Sequence, residues 1–496
     1  MNDRYRLRTL TLVPLLASLI FSAACSTNPA TGKQSFTAFM SREDEIRIGA
    51  EEHPKLIKEF GGAYTDAKLR AYINRIGLKL TRHAETGGLK YTFTILNSDK
   101  VNAMALPGGY VYITRGLLAL ADNEAEMAGV LAHEIGHITA RHTAERYSTT
   151  QATNLGLMVL GVLGSAAGVP SGVGQMIGFG AQAAMPSYSR EQELESDMLG
   201  VRYLSRAGYS PQAMTSFFHK LKAHEELERA MEGKKGDAPS NIMATHPRTA
   251  ERIGQAIKLA KAAKVANPVF GRQEFLAEID GMVFGDDPEQ GVRRGREFIH
   301  PELGIRFEVP PGFVMFNSAR QVVARGSKQS VIVFDMAREK SARRARTLSG
   351  YIANTWASGL SLSGLERIDI NGFEAATAAG RINTGGGAKD LRLIAIRGGP
   401  KRIFRLAFIS PPNMTARLKV DFQRTTFSFR RITKQEAEAI KPLRIKVVIV
   451  KPGDTATSLA AGFPFERFRL RWFETLNGQR PGQRLTPGAK VKIVVE

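Results

Sequence analysis

His133-Glu134-Ile135-Gly136-His137 places two imidazoles four residues apart, with a carboxylate beside the first. On a helix, positions i and i+4 share a face, so both histidines can reach one cation while Glu134 sits beside its open position. This is the arrangement of zinc-dependent peptide hydrolysis, in which a metal-activated water attacks the peptide carbonyl and Glu134 is the general base. A five-residue match also arises by chance, and a helical histidine is more often capped or solvated than metal-bound, so the surroundings decide. Met127, Val130, Leu131, Ile135 and Ile138 form an apolar stripe within 127–142, which predicts a buried helix, and Asn123 and Glu126 stand at capping-box spacing ahead of it. Glu134 and His137 then fall inside a largely apolar helix, where unpaired polar groups are costly. A bound metal resolves that conflict.

A catalytic zinc takes three protein ligands and keeps a fourth position open, so one more donor is required. Residues 189–197 (SREQELESD) offer four carboxylates on a helix predicted to run towards Leu204. Glu193 and Asp197 share one face, Glu191 and Glu195 another, and charge alone does not choose between the pairs. A solvated acidic face is the plain alternative. Upstream, residues 109–114 alternate as a strand does between glycines and the LLAL run, and an edge strand here would bind an extended peptide by backbone pairing. An ordinary sheet strand fits the same pattern.

Taken together, GGYVYITRGLL (108–118), HEIGHITARH (133–142), SREQELESD (189–197) and THPRTAERI (245–253) resemble the M48 family of zinc metallopeptidases, an HtpX-like gluzincin group. The resemblance spans roughly residues 40–265. It implies a mainly helical zincin-type domain holding one Zn2+ per chain by His133, His137 and Glu193, with Asp197 supporting a histidine ligand from outside. It also brings His246 near the active site, as a transition-state donor or as a reversible fourth ligand that keeps the enzyme latent. The substrates it implies are misfolded or misassembled envelope proteins. His142 reads as a structural partner at the helix end, beside Arg141.

These side chains must be carried by folded elements, and the 496 residues, 43% of them hydrophobic, suffice for about three domains. Arg4, Arg6 and Arg8 precede an apolar stretch from Leu10 to Phe21 that is too short to span a membrane, followed by small residues and Cys25. We read 1–25 as a secretory signal, with either acylation of Cys25 as a lipoprotein or ordinary cleavage near Ala24. The lone cysteine excludes an intrachain disulfide framework. The N-terminus predicts a periplasmic protein, membrane-anchored at the outer membrane if Cys25 is lipidated. Residues 154–184, inside a stretch without charge, predict helices that cover the cleft, dock on a partner or pack in the core.

The formal charge of +22 falls unevenly, with about +21 of it after Gln290. Residues 26–265 are therefore the near-neutral peptidase domain, 266–290 a linker and 291–435 a basic α+β domain of unassigned role. VIVFDM (331–336), RLIAIR (392–397) and KRIFRLAFI (401–409) read as strands, with a helix near 342–358. Residues 443–496 run strand, PGDT turn, helix, LNG turn, PG and strand, similar to the βααβ peptidoglycan-binding LysM module. The fold class is thus α+β: a helical peptidase domain, an α+β middle and a small LysM-like tail. Export argues against nucleic acid as a partner, whereas anionic envelope polymers suit the charge. A second function class remains: an envelope scaffold or chaperone with a latent zinc site and a cell-wall-binding tail.

Overall fold

The structure is a computed structural model, and it describes residues 25–153, 187–233, 246, 250–384 and 387–496. The signal segment before Cys25, the uncharged stretch 154–184, and Thr245 and Pro247 lie outside the described residues. The fold is α+β, with mixed helix and sheet throughout.

Helix α1 (Arg42–Glu59) starts at a capping box between Ser41 and Asp44, and α2 (Ala67–Thr81) at an Asp66 cap. A three-stranded sheet follows, of β1 (Thr92–Leu96), β2 (Ala103–Leu106) and β3 (Tyr110–Thr114). Its order is β1-β3-β2, with β3 parallel to β1 and antiparallel to β2. This corrects the edge-strand expectation for 109–114: β3 is central and both its sides are paired. The edges are β1 and β2, and β2 lies against the next long helix.

That helix, α3 (Glu124–Thr139), begins where expected, with Asn123 accepting from the Glu126 amide. The Glu126 carboxylate accepts instead from the Asp122 amide, one residue outside the usual capping box. Met127, Leu131 and Ile135 are fully buried, as the stripe requires. The helix stops at Thr139 rather than reaching His142, because Arg141 adopts φ +56° and a second helix runs from 142 to 153. Arg141 is held there by Glu45 and by the Met40 carbonyl.

Among the described residues after 153, four further helices follow in this half: α4 (Arg190–Arg206), α5 (Gln212–Glu232), α6 (Ala250–Ala262) and α7 (Arg272–Ile279). The last corrects the linker expectation for 266–290. Phe275, Leu276 and Ile279 are completely buried, so this stretch is part of the core. Among the described residues no helix is long and apolar enough to cross a membrane.

The middle of the chain is a seven-stranded antiparallel sheet built from β4 (Val314–Asn317), β5 (Gln321–Arg325), β6 (Val331–Met336), β7 (Leu362–Ile370), β8 (Phe373–Thr384), β9 (Gly387–Gly399) and β10 (Arg402–Ser410), in the order β4-β5-β6-β10-β9-β8-β7. Helix α8 (Pro412–Ser428) packs on it, burying Leu418 and Phe422 in a core shared with Phe334, Phe404 and Phe408. The helix expected over 342–358 is instead broken into short turns at Glu339–Arg344, Leu348–Tyr351 and Ile352–Trp356.

In the tail, β11 (Leu443–Ile449), α9 (Ala456–Ala461), α10 (Arg469–Asn477) and β12 (Lys490–Val495) follow one another, and the two strands pair antiparallel. Strand β11 also pairs with Val283–Phe284. Ile445, Phe473, Leu476, Val491 and Val494 belong to the same continuous core as α3 and α4.

Candidate metal centre

Two helices position the candidate donors. His133, Glu134 and His137 project from α3, and Glu193 and Asp197 from α4, all of them buried. The helices can approach because glycines line their crossing. A Cβ on Gly136 would lie 2.7 Å from Ser196 Oγ, and one on Gly200 would lie 3.2 Å from the His133 amide nitrogen. Ser196 in turn donates to the His133 carbonyl at 2.5 Å, tying the helices at the level of the first histidine. The ambiguity among the carboxylates resolves by burial, since Glu193 and Asp197 are completely enclosed while Glu191 faces solvent. Glu195 sits at the margin, 3.3 Å from Lys33.

The donor atoms converge. His133 Nε2 and His137 Nε2 are 3.0 Å apart, and the Glu193 oxygens lie 3.6 and 3.5 Å from them respectively. His246 joins the group, with Nδ1 2.9 Å from Glu193 Oε1 and 3.4 Å from His133 Nε2. All four donors fall within 4.8 Å of one another, and they are the metal-capable cluster among the described residues. Ligands about 2.0–2.1 Å from a tetrahedral ion lie about 3.4 Å from each other, so this spacing suits zinc. Two neighbouring imidazoles and a carboxylate are also its ordinary donor chemistry.

Around the donors lies a second layer of contacts. His133 Nδ1 is 2.9 Å from Asp197 Oδ1, which leaves Nε2 as the free donor nitrogen. Arg252, from α6, grips Asp197 through two bonds of 2.7 and 2.8 Å and reaches Glu193 Oε2 at 2.5 Å. His142 Nδ1 is 2.8 Å from His137 Nδ1, and the Tyr188 ring stacks on His137 at 3.8 Å. Sequence reasoning read His142 only as a helix-end partner and did not find Tyr188. The Arg252 signal was present in the THP…Arg spacing.

The electrostatics follow from burial and neighbours. Burial pushes the Glu134 carboxyl up, with His246 and His133 opposing. It also pushes His137 well below the usual imidazole range. At Glu193 burial acts upwards too, but His246, His137 and His133 outweigh it and hold the carboxyl well down. Glu134 Oε2 is buried and makes no hydrogen bond among the described residues. Beside Glu134 and His246 opens a pocket whose wall is Val130, Met214, Phe217, Phe218 and Leu221.

A helix pair presenting two histidines and two buried glutamates, one of them with a carboxylate oxygen that makes no hydrogen bond among the described residues, has the make-up of a metallopeptidase-type centre. Residues 67–260 match Peptidase family M48. The Beta-barrel assembly-enhancing protease of Escherichia coli O157:H7 is 32% identical over 242 residues, covering 48% of this chain and 47% of that protein. The protein of that name from Yersinia pestis is 35% identical over 283 residues, 54% and 56% of the two chains. Mitochondrial metalloendopeptidase OMA1 of Schizosaccharomyces pombe is 27% identical over 229 residues, 45% of this chain and 63% of that one. The chain thus spans about half the length of the bacterial relatives it matches.

Proposed function

We propose that this protein is a zinc-dependent endopeptidase of the bacterial envelope that cleaves misfolded or misassembled envelope proteins. The observation that carries the reading is the convergence of His133, His137 and Glu193 beside a buried Glu134 whose Oε2 has no other bond. These three residues would hold the ion, which when bound supplies Lewis acidity at the scissile carbonyl and makes water acidic enough to lose a proton near neutral pH. Glu134 accepts that proton and returns it to the leaving amine, as general base and then acid, and its raised affinity for protons suits the second task. Asp197, fixed by Arg252, holds the His133 ring in the orientation that exposes Nε2. The apolar pocket beside Glu134 suits an aliphatic or aromatic side chain, which proteins that have not folded or assembled leave exposed.

His246 stands inside the donor set, close to Glu193 and His133, and this favours its role as a reversible fourth ligand over that of a transition-state donor. The resting enzyme is then closed until substrate or a partner withdraws that imidazole. The names of the relatives, one set concerned with β-barrel assembly, support an envelope substrate. The lipidated Cys25 anchor, outer-membrane placement and peptidoglycan binding by the LysM-like residues 443–496 belong to the same proposal. The βααβ order of the tail supports its LysM-like reading.

Casein cleavage by the zinc-loaded protein, with and without chelator, is the test, with Glu134→Gln as control. The variant should keep its zinc and lose about 10²–10⁴-fold in rate. Full activity in zinc-loaded Glu134→Gln would overturn the mechanism, and silence of both the wild type and His246→Ala would favour the scaffold alternative.

A further inference from the structure

Lys492 is the least expected side chain in the tail. It lies on β12, close to the end of the described chain, yet it is completely enclosed. Its Nζ donates to the carbonyls of Ala119 at 2.8 Å, Leu120 at 3.3 Å and Ala121 at 2.6 Å. Those three oxygens close the short helix Arg115–Leu120, whose last carbonyls have no partner further along the chain. An ammonium there also opposes the negative end of that helix. Only Ala121 and Asp122 separate this point from Asn123, the cap of α3.

Asp122 is the second half of the fastening. It lies 3.2 Å from Lys492 and 2.6 Å from Lys220, and Arg272 approaches it at 3.6 Å. Lys220 also donates to the Leu476 carbonyl of α10, and Arg272 bridges the carbonyls of Asp122 and Lys490. A Cβ on Gly478 would meet Asp122 Oδ2 at 2.6 Å, so the tail turn presses directly on this loop. The other end of the short helix is tied as well, through Arg115 to the Val283 carbonyl on the strand that pairs with β11. Burial pushes the Lys492 ammonium down to about 7, with Lys220 adding to the effect and Asp122 opposing it. An apolar side chain would fill the same space without that cost, so packing alone does not explain a lysine.

We infer that Lys492 is a positioning residue for the metal centre: it locks the turn from which α3 starts, and so makes residues 443–496 part of the catalytic unit rather than a tethered appendage. His133 comes ten residues after Asn123, about 15 Å along the helix, so a looser turn reaches the donors as a shift or rotation of the whole α3 rod. The catalytic half of this inference rests on the peptidase reading, and the structural half does not.

The test uses the full chain carrying Lys492→Met, with Lys446→Met on the exposed side of β11 as control. Hydrogen exchange of the metal-free protein should quicken about tenfold or more at residues 119–127 in Lys492→Met and not in the control. In zinc-loaded protein, casein-peptide kcat should fall about tenfold to a hundredfold while KM and zinc content hold. Unchanged exchange at 119–127 in a folded Lys492→Met protein overturns the inference, as does a loss of kcat that merely follows lost zinc. Should Lys492→Met fail to fold, the same two measurements on Lys492→Gln, which keeps an N–H donor, decide in the same way. Exchange is read without metal or substrate, so a failure of the peptidase reading leaves this result standing.

Discussion

Arg252 reaches from α6 to two enclosed carboxylates at once, Asp197 by a paired contact and Glu193 by a single one. Both acids are completely buried, so removing the guanidinium strands two charges in the interior. Arg252→Met should therefore destabilise the metal-free protein by about 3–5 kcal/mol, read by urea unfolding in the presence of chelator. His246→Ala probes the opposite kind of residue. If that imidazole closes the centre, the variant should cleave casein faster than wild type, and an unchanged rate would sink the latency reading. At this scale the sequence was informative where spacing alone fixes geometry: His133, Glu134 and His137 needed only the helical repeat. Glu193 and Asp197 could be separated from Glu191 and Glu195 only by knowing which face α4 buries. His142 was underrated because it returns to His137 through the reversal at Arg141, a positive-φ arginine that no hydrophobic period announces.

At the scale of elements, the crossing of α3 and α4 is set by two glycines rather than by any donor. Gly136→Ala brings a methyl against the Ser196 hydroxyl and carbonyl, and the helices must part. The expected cost is about 1–3 kcal/mol of stability with weaker zinc binding, measured by thermal unfolding and by competition with a metal indicator. Gly254 on α6 has nothing near its Cβ position, so Gly254→Ala should stabilise the protein by up to about 1 kcal/mol in the same assay. A single sequence identifies β3 readily, since alternation marks a strand, but alternation is silent about neighbours. The partner β1 comes from an earlier segment and runs parallel, and that pairing places β3 in the middle of the sheet. Segment 266–290 misled for a related reason. Its glycines, prolines and Asp286-Asp287 resemble a connector, while the eight residues of α7 are too short to display a clear helical period.

Across the whole molecule, charge and core are distributed differently: the basic excess lies in the second half, but the tail shares its core with the first. His300, at the end of the strand Glu297–His300 in a four-stranded sheet, gives this half its own acid sensitivity. Burial, then repulsion from Arg402, pushes its imidazole from 6.5 down to about 4. The unfolded chain consequently binds the proton first, and stability is lost as pH falls from 6.5 towards 4. A shift of this size corresponds to at most about 3 kcal/mol, and His300→Gln should flatten urea-unfolding midpoints across that window. The Lys492 contact, 373 residues from Ala119, also bears on biogenesis. During synthesis the turn at 119–122 emerges long before β12, so it stays open and hydrated while the intervening chain is made. A chain halted between residues 247 and 491 carries all four candidate donors and still lacks the Lys492 fastening, so the turn from which α3 starts is secured only after the donors have been made.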